Sequence, residues 1–228
     1  MPMKGAGTTA LRKIDRFDGG VGWISYPDET MERASHAIAT DDGVWLVDPV
    51  DADGLDELLA EFGPVQGIAV CLDRHKRDAA EIATRHDVSV YIPNWMTGVE
   101  TKLNAPVERF GSKLADTGYE AFVVRDSTVP PWQEAGLFNA DNGTLIIPES
   151  VGTASYFVTE EERLGVHPML RLFPPTEVLS QYRPARILVG HGEGILSDAD
   201  RALQHALSGS RGKTPKLYGK TLKSFLPL

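Results

Sequence analysis

The chain has little that would cross-link, anchor or export a protein. Cys71 is the single cysteine among 228 residues, which excludes an internal disulfide and any metal site built from several thiolates. No apolar run reaches the roughly eighteen residues that a membrane-spanning helix needs. The first residues lack the apolar core of a secretion signal. We therefore expect a cytoplasmic protein with no membrane partner.

The charge is distributed unevenly. The net charge is -9, but residues 1–208 hold all 32 acidic side chains, whereas residues 209–228 hold five basic ones and no acid. We interpret residues 1–208 as one domain and residues 209–228 as a basic C-terminal tail. The tail is either a solvated terminus or a segment that binds the acidic body, a subunit or an anion. An acidic body repels polyanions, so we expect no nucleic-acid partner.

The pattern of apolar residues predicts an α/β fold. Each half begins with short strands joined by turn sequences, Asp41-Asp42-Gly43 in the first half and Asp141-Asn142-Gly143 in the second. Each half then continues with alternating buried strands and helices. Such a repeat predicts two packed sheets with helices on both outer faces, a four-layer αββα sandwich.

Two helix boundaries are also predicted. Thr159 and Glu162 have the spacing of a capping box at the start of a short helix. A helix that opens at Ser197 is predicted to end at Gly209, because glycine is common just beyond a helix.

Polar residues that directly follow buried strands are the candidate site. Three segments qualify: the loop Asp73-Arg74-His75-Lys76-Arg77-Asp78, the acid Glu149 after the strand that ends at Ile147, and His191 within Gly190-His191-Gly192. Since the ends of neighbouring strands present their loops to a common cleft, we expect these segments to face one another.

The order of these segments resembles that of the metallo-β-lactamase-fold hydrolases. Val47-Asp48-Pro49 is similar to the family's strand end, the loop after Leu72 to its His-x-His-x-Asp-His motif, and the Gly-His-Gly corner to its late histidine. The resemblance spans roughly residues 20–208 and lies in the collinear order, because each motif alone is weak.

The resemblance implies a degenerate form of the family's two-metal site. It places Asp73 at the first histidine of the loop, His75 at the second, Arg77 at the aspartate, Asp78 at the last histidine, Glu149 at the bridging acid and His191 at the late histidine. No histidine occurs near the family's mid-chain ligand, where Glu134 is the nearest acid. His167 is a further residue that could line the pocket.

The candidate ligands are therefore Asp73, His75, Asp78, Glu149 and His191. The oxygen-rich set suits at most one divalent ion, Zn, Mn or Fe, or none. Arg77 adds a positive charge at the second metal position, and we expect its guanidinium to pair with Glu149 or Asp78 instead.

Two functions remain open. In the first, Arg74, Lys76 and Arg77 fill the old site, and a catalytically impaired or non-catalytic protein binds a small anion or a partner. In the second, the protein is a mononuclear metal-dependent hydrolase of a thioester, ester, lactone or phosphate.

Overall fold

A computed structural model describes residues 2–5 and 11–225, with side chains through residue 219. The larger sheet has seven strands in chain order: β1 (Arg12–Phe17), β2 (Gly20–Ile24), β3 (Ala34–Thr40), β4 (Gly43–Val47), β5 (Val65–Ala69), β6 (Val90–Pro93) and β7 (Val107–Phe110). Strands β1 to β4 pair antiparallel, and β4 to β7 pair parallel. The parallel strands therefore all end at the same edge of the sheet.

The smaller sheet has four strands: β8 (Glu120–Thr128), β9 (Pro131–Asn139), β10 (Thr144–Ile147) and β13 (Arg186–Val189). Strand β10 pairs antiparallel with β9 and parallel with β13. A two-stranded ribbon follows β10 and consists of β11 (Val151–Gly152) and β12 (Gly165–Val166). The four α-helices among the described residues are α1 (Leu55–Leu59), α2 (Ala79–His86), α3 (Thr176–Leu179) and α4 (Ala199–Phe225).

Three apolar layers lie between four layers of secondary structure. One packs α1 and α2 on the larger sheet, through residues such as Leu58 and Ile82. A second lies between the two sheets and includes Trp45 and Leu188. The third packs α3 and α4 on the smaller sheet, with Leu203 at its centre. The predicted αββα sandwich is confirmed, and β4 is buried along its whole length because both of its faces are covered.

Both predicted hairpin turns are confirmed. Thr40 pairs with Gly43 across the β3–β4 turn, and Asn139 pairs with Thr144 across the β9–β10 turn. Gly143 has a φ of 68°, a left-handed conformation that glycine adopts without strain.

The predicted end of the last helix at Gly209 is wrong. Helix α4 continues through the tail to Phe225, although it contains Pro215. Ser210 is fully buried and its hydroxyl donates to the carbonyl of Arg171, and Leu217 is also buried. These contacts with the body stabilise the helix beyond a glycine that would stop it in isolation. Residues 226–228 of the predicted tail lie outside the described residues.

The predicted helix at Thr159 is also wrong, because the segment forms a turn. One half of the capping pair is present, since the Glu162 carboxylate accepts a hydrogen bond from the backbone N–H of Thr159 at 2.9 Å. The same carboxylate accepts from the fully buried guanidinium of Arg171 at 2.6 Å. Glu162 therefore anchors this turn to the buried arginine rather than starting a helix.

Strands β1 and β7 were not predicted from the sequence; they form the two edges of the larger sheet. Along the described part of the chain, no helix combines the length and the apolar character required to cross a bilayer.

Candidate metal centre

The candidate site lies where strands of both sheets end. Asp48 directly follows β4, His75 lies in the loop after β5, Glu149 follows β10, and His191 follows β13. The loop after Leu72 and the Gly-His-Gly corner do face each other, because the Nε2 atoms of His75 and His191 are 3.4 Å apart. With a carboxylate oxygen of Glu149, the two nitrogens form a buried set of three possible ligand atoms within 4.8 Å of one another.

The two imidazoles are held by their outer nitrogens. Nδ1 of His191 donates to the carbonyl of Met31 at 2.8 Å, and Nδ1 of His75 donates to the Oδ2 atom of Asp48 at 3.0 Å. Burial raises the pKa of Asp48 to about 6, although Arg77 opposes the shift, so the group is a carboxylate at neutral pH. Burial, with nearby positive groups, holds the pKa of both histidines well below the usual value. Both rings are therefore neutral and carry their proton on Nδ1.

Two nitrogen lone pairs consequently face each other in the interior. Neither Nε2 atom has a proton to donate, so their 3.4 Å contact is not a hydrogen bond. Two imidazole nitrogens on one tetrahedral zinc ion, each about 2.0–2.1 Å from the metal, would lie about 3.3–3.4 Å apart. The spacing and direction of the two lone pairs fit a shared cation.

Glu149 is the third side chain of the cluster. Its Oε2 atom lies 3.7 Å from Nε2 of His75, and its Oε1 atom lies 3.6 Å from Nε2 of His167. Nε of Arg74 donates to Oε2 at 2.8 Å. Burial raises the pKa of Glu149 to about 7, and the Arg74 guanidinium opposes that rise.

His167 lies at the side of the cluster. Its ring makes edge contacts with Trp132 and Phe157, at centroid distances of 5.0 and 5.3 Å. Its Nδ1 accepts from the backbone N–H of Met169, and burial lowers the pKa of the ring to about 4. A neutral His167 therefore presents an Nε2–H toward Glu149.

Glu134 supports Glu149 and is not a member of the three-ligand cluster. One oxygen of the buried Glu134 carboxylate accepts from the backbone N–H groups of Glu149 and Ser150, both at 2.8 Å. The other accepts from the Ser150 hydroxyl and from the indole N–H of Trp132. These bonds fix the backbone that carries Glu149.

Arg77 does not make the predicted ion pair. Its guanidinium donates to three backbone carbonyls, those of Ala34, Asp48 and Gly190, at 2.5, 2.6 and 2.9 Å. The residue has a φ of 45°, a left-handed conformation that turns its side chain toward these strand ends. The guanidinium that reaches Glu149 belongs to Arg74, which also lies 4.0 Å above the Trp132 ring.

The other two predicted ligands point elsewhere. Asp73 accepts a hydrogen bond from Arg74 at 3.3 Å. Asp78 precedes helix α2, and its carboxylate accepts from the backbone N–H of Asp51 at 2.9 Å. The cluster found among the described residues therefore contains His75, Glu149 and His191 but not Asp73 or Asp78.

Sequence reasoning missed the groups that orient the imidazoles. Asp48 was not among the candidate ligands, yet its carboxylate holds Nδ1 of His75. Its place directly after a buried strand was the available signal. The carbonyl of Met31 has no sequence signal. The cluster opens into a hollow of about 320 Å³. In the part of the chain that the structure describes, one carboxylate, Glu149, and five cationic residues line it: Lys4, Arg33, Arg74, Lys76 and Arg77.

Comparison with known proteins shows which solved structures have a similar fold. No protein-family model and no curated protein sequence matches the chain. Among solved structures, the DIM-1 metallo-β-lactamase exposed to ceftazidime aligns with a TM-score of 0.65 and 14% identity, over 91% of this chain and 99% of that one. A metallo-β-lactamase from Pontibacter korlensis aligns at 0.60 and 14% identity, over 88% and 99% of the two chains. Another, from Hirschia baltica, aligns at 0.58 and 11% identity, over 89% and 98%.

The chain therefore has the metallo-β-lactamase fold.

Proposed function

We propose that this protein is a metal-dependent hydrolase that holds a single divalent ion between His75, Glu149 and His191. The observation that carries the proposal is the pair of buried Nε2 lone pairs 3.4 Å apart, with Glu149 beside them. Two histidines and one glutamate are a ligand set that catalytic sites with one open position use. When bound, such an ion supplies Lewis acidity toward water and toward a carbonyl or phosphoryl oxygen.

The chain's own residues set the geometry of this site. Asp48 and the carbonyl of Met31 keep the Nδ1 protons of the two histidines, which directs both Nε2 atoms inward. Glu134 holds the backbone of Glu149. Arg74 balances the charge of Glu149 while no cation does so.

The same residues limit which metal and which substrate the proposal includes. Imidazole and carboxylate ligands suit zinc, manganese or iron. The substrate class is a small molecule with a hydrolysable thioester, ester, lactone or phosphate bond. Nucleic acid is not part of the proposal, because the body is strongly acidic, and neither is a membrane. The proposal includes a cytoplasmic location.

Metal analysis tests the proposal directly. Protein purified without chelator, and then offered zinc, manganese or ferrous ion, should retain about one equivalent of metal. His191→Ala should lose it, whereas His86→Ala should not, because His86 contacts Asp56 on the surface and lies outside the cluster. A parent protein that retains less than about a tenth of an equivalent of every metal would refute the metal site.

The Arg74 contact favours a second candidate function. Because Arg74 already pairs with Glu149 at 2.8 Å, the site could be permanently charge-balanced, and the protein would then bind a small anion without catalysis. A panel of thioester, ester, lactone and phosphate substrates separates the two. Turnover that requires metal and disappears in His191→Ala supports the hydrolase. A protein that retains no metal, turns over none of these substrates and still binds a small anion supports the non-catalytic function.

A further inference from the structure

The hollow above the cluster is positively charged, although the protein is acidic. Among the described residues that line it, five are cationic and Glu149 is the one carboxylate, while the chain as a whole has a net charge of -9. Its volume of about 320 Å³ suits a small ligand. The charge therefore selects an anion over a neutral or cationic molecule.

Each of the three arginines of the lining already makes hydrogen bonds to groups of the protein. Arg33 makes a bidentate pair with the buried carboxylate of Glu29, at 2.8 and 2.9 Å. Arg74 donates to Glu149, and Arg77 donates to three backbone carbonyls. These side chains supply positive potential, and part of each guanidinium is engaged within the protein.

Two lysines remain available to a ligand. Lys76 directly follows the cluster residue His75 in the chain. Lys4 reaches the hollow because residues 2–5 lie along the segment before β3, where the N–H of Thr30 donates to the carbonyl of Pro2 at 2.9 Å. Within the described ranges, neither ammonium group has a carboxylate within 4 Å, and both residues line the hollow.

We infer that Lys4 and Lys76 form a subsite for the phosphate group of a small phosphate monoester. The inference deepens the proposed function and rests on it for the identity of the site. Flat carboxylates are matched best by free arginine forks, and each arginine of this hollow already commits part of its guanidinium to protein groups. A phosphate dianion has three oxygens that point charges can approach from several directions, as two flexible lysines do. The phosphate subsite lies beside the three-ligand cluster in the same hollow.

Calorimetric titration tests the subsite without measuring turnover. The probes are inorganic phosphate, phenyl phosphate and acetate at equal ionic strength. Each is added to protein whose metal content has been measured. Phosphate and phenyl phosphate should bind at least about tenfold more tightly than acetate. Lys4→Gln and Lys76→Gln should each weaken phosphate binding by about tenfold. Lys102→Gln is the control, because this lysine lies in a short 3₁₀ turn outside the hollow and should bind as the parent does.

The outcomes separate this inference from the proposed function. Phosphate that binds no more tightly than acetate, or that binds both lysine variants as well as the parent, overturns the subsite even if one equivalent of metal is present. Phosphate binding that is weakened in both lysine variants supports the subsite, even in a protein shown to retain no metal. If each variant unfolds at the same temperature as the parent, loss of folding is excluded as the cause of weaker phosphate binding.

Discussion

Replacing Arg74 with glutamine should strengthen metal binding. The Arg74 guanidinium donates to the Oε2 atom of Glu149, the same oxygen that lies 3.7 Å from Nε2 of His75. A cation bound by the three-ligand cluster would have to share or displace this guanidinium. Arg74 would therefore compete with a bound metal for Glu149, and its removal should relieve that competition.

The size of the effect follows from the exposure of Arg74. Two unit charges about 4 Å apart interact by about 4 kcal/mol at an effective dielectric of about 20. The Arg74 side chain is 38% exposed, so solvent screening should reduce the effect. A residual of about 1–2 kcal/mol is reasonable for a partly exposed pair, and it corresponds to roughly 5- to 30-fold tighter metal binding.

Competition against a chromophoric chelator measures this change with zinc or manganese. Arg125→Gln is the matched control, since Arg125 also lies over the Trp132 ring, at 5.9 Å, but bonds to Ser127 rather than to Glu149. We expect Arg125→Gln to bind metal as the parent does. An affinity that is unchanged or lower in Arg74→Gln would refute the reasoning, because it would make Arg74 a residue that positions Glu149 rather than a competitor.

Three further variants test the supports of the fold and the site. In Glu134→Gln the amide NH2 must face either the two backbone N–H groups or the indole N–H of Trp132, all of which donate to the carboxylate. Denaturant unfolding should therefore show a loss of about 2–3 kcal/mol in the free energy of unfolding, and an unchanged stability would contradict this. Arg171→Met leaves the buried Glu162 carboxylate without its ion pair and should cost about 3–5 kcal/mol in thermal unfolding, whereas adding Glu162→Gln should recover part of the loss. Burial raises the pKa of Asp15 to about 7, so the native protein loses stability as pH rises from about 4 to 7 and this carboxyl ionises. The free energy of unfolding of Asp15→Asn, measured relative to that of the parent, should therefore increase across that range by at most about 4 kcal/mol and then level off. A difference that does not depend on pH would contradict this.

The sequence was sufficient to predict the layers and the place of the site. Apolar runs of strand length, separated by helical periods, specify which segments are buried, and two turn sequences specify both hairpins. Because β10 and β13 are parallel neighbours, the residues that follow them share one edge of the smaller sheet. The packing of the two sheets against each other brings the end of β5 to the same side. That constraint is what places His75, Glu149 and His191 in one cluster.

The spacing of residues in the sequence does not predict the direction of their side chains. Arg74 and Arg77 are three residues apart in one loop, yet one guanidinium reaches Glu149 and the other reaches backbone carbonyls. The difference depends on the left-handed backbone at Arg77 and on the Trp132 ring that supports Arg74. Both features are set by tertiary packing, which a motif alignment does not contain.

The two predictions of helix boundaries were wrong for the same reason. Gly209 has the chemistry of a helix stop, but buried contacts of Ser210 and Leu217 continue helix α4 past it. Thr159 and Glu162 have the chemistry of a cap, but Glu162 instead binds the buried Arg171. In each case a long-range contact outweighs a local preference of about 1 kcal/mol.

The arrangement of the two histidines argues against a site that has merely decayed. Each imidazole is buried and oriented by a hydrogen bond from Nδ1, to Asp48 in one case and to Met31 in the other. Among the described residues, this orientation leaves the two inward Nε2 acceptors without donors, and an unsatisfied buried polar group costs about 1–3 kcal/mol. Rotating either ring to satisfy its Nε2 atom would break its Nδ1 bond. The fold therefore maintains a close pair of lone pairs that a bound cation would stabilise, and this is the physical argument for the proposed metal site.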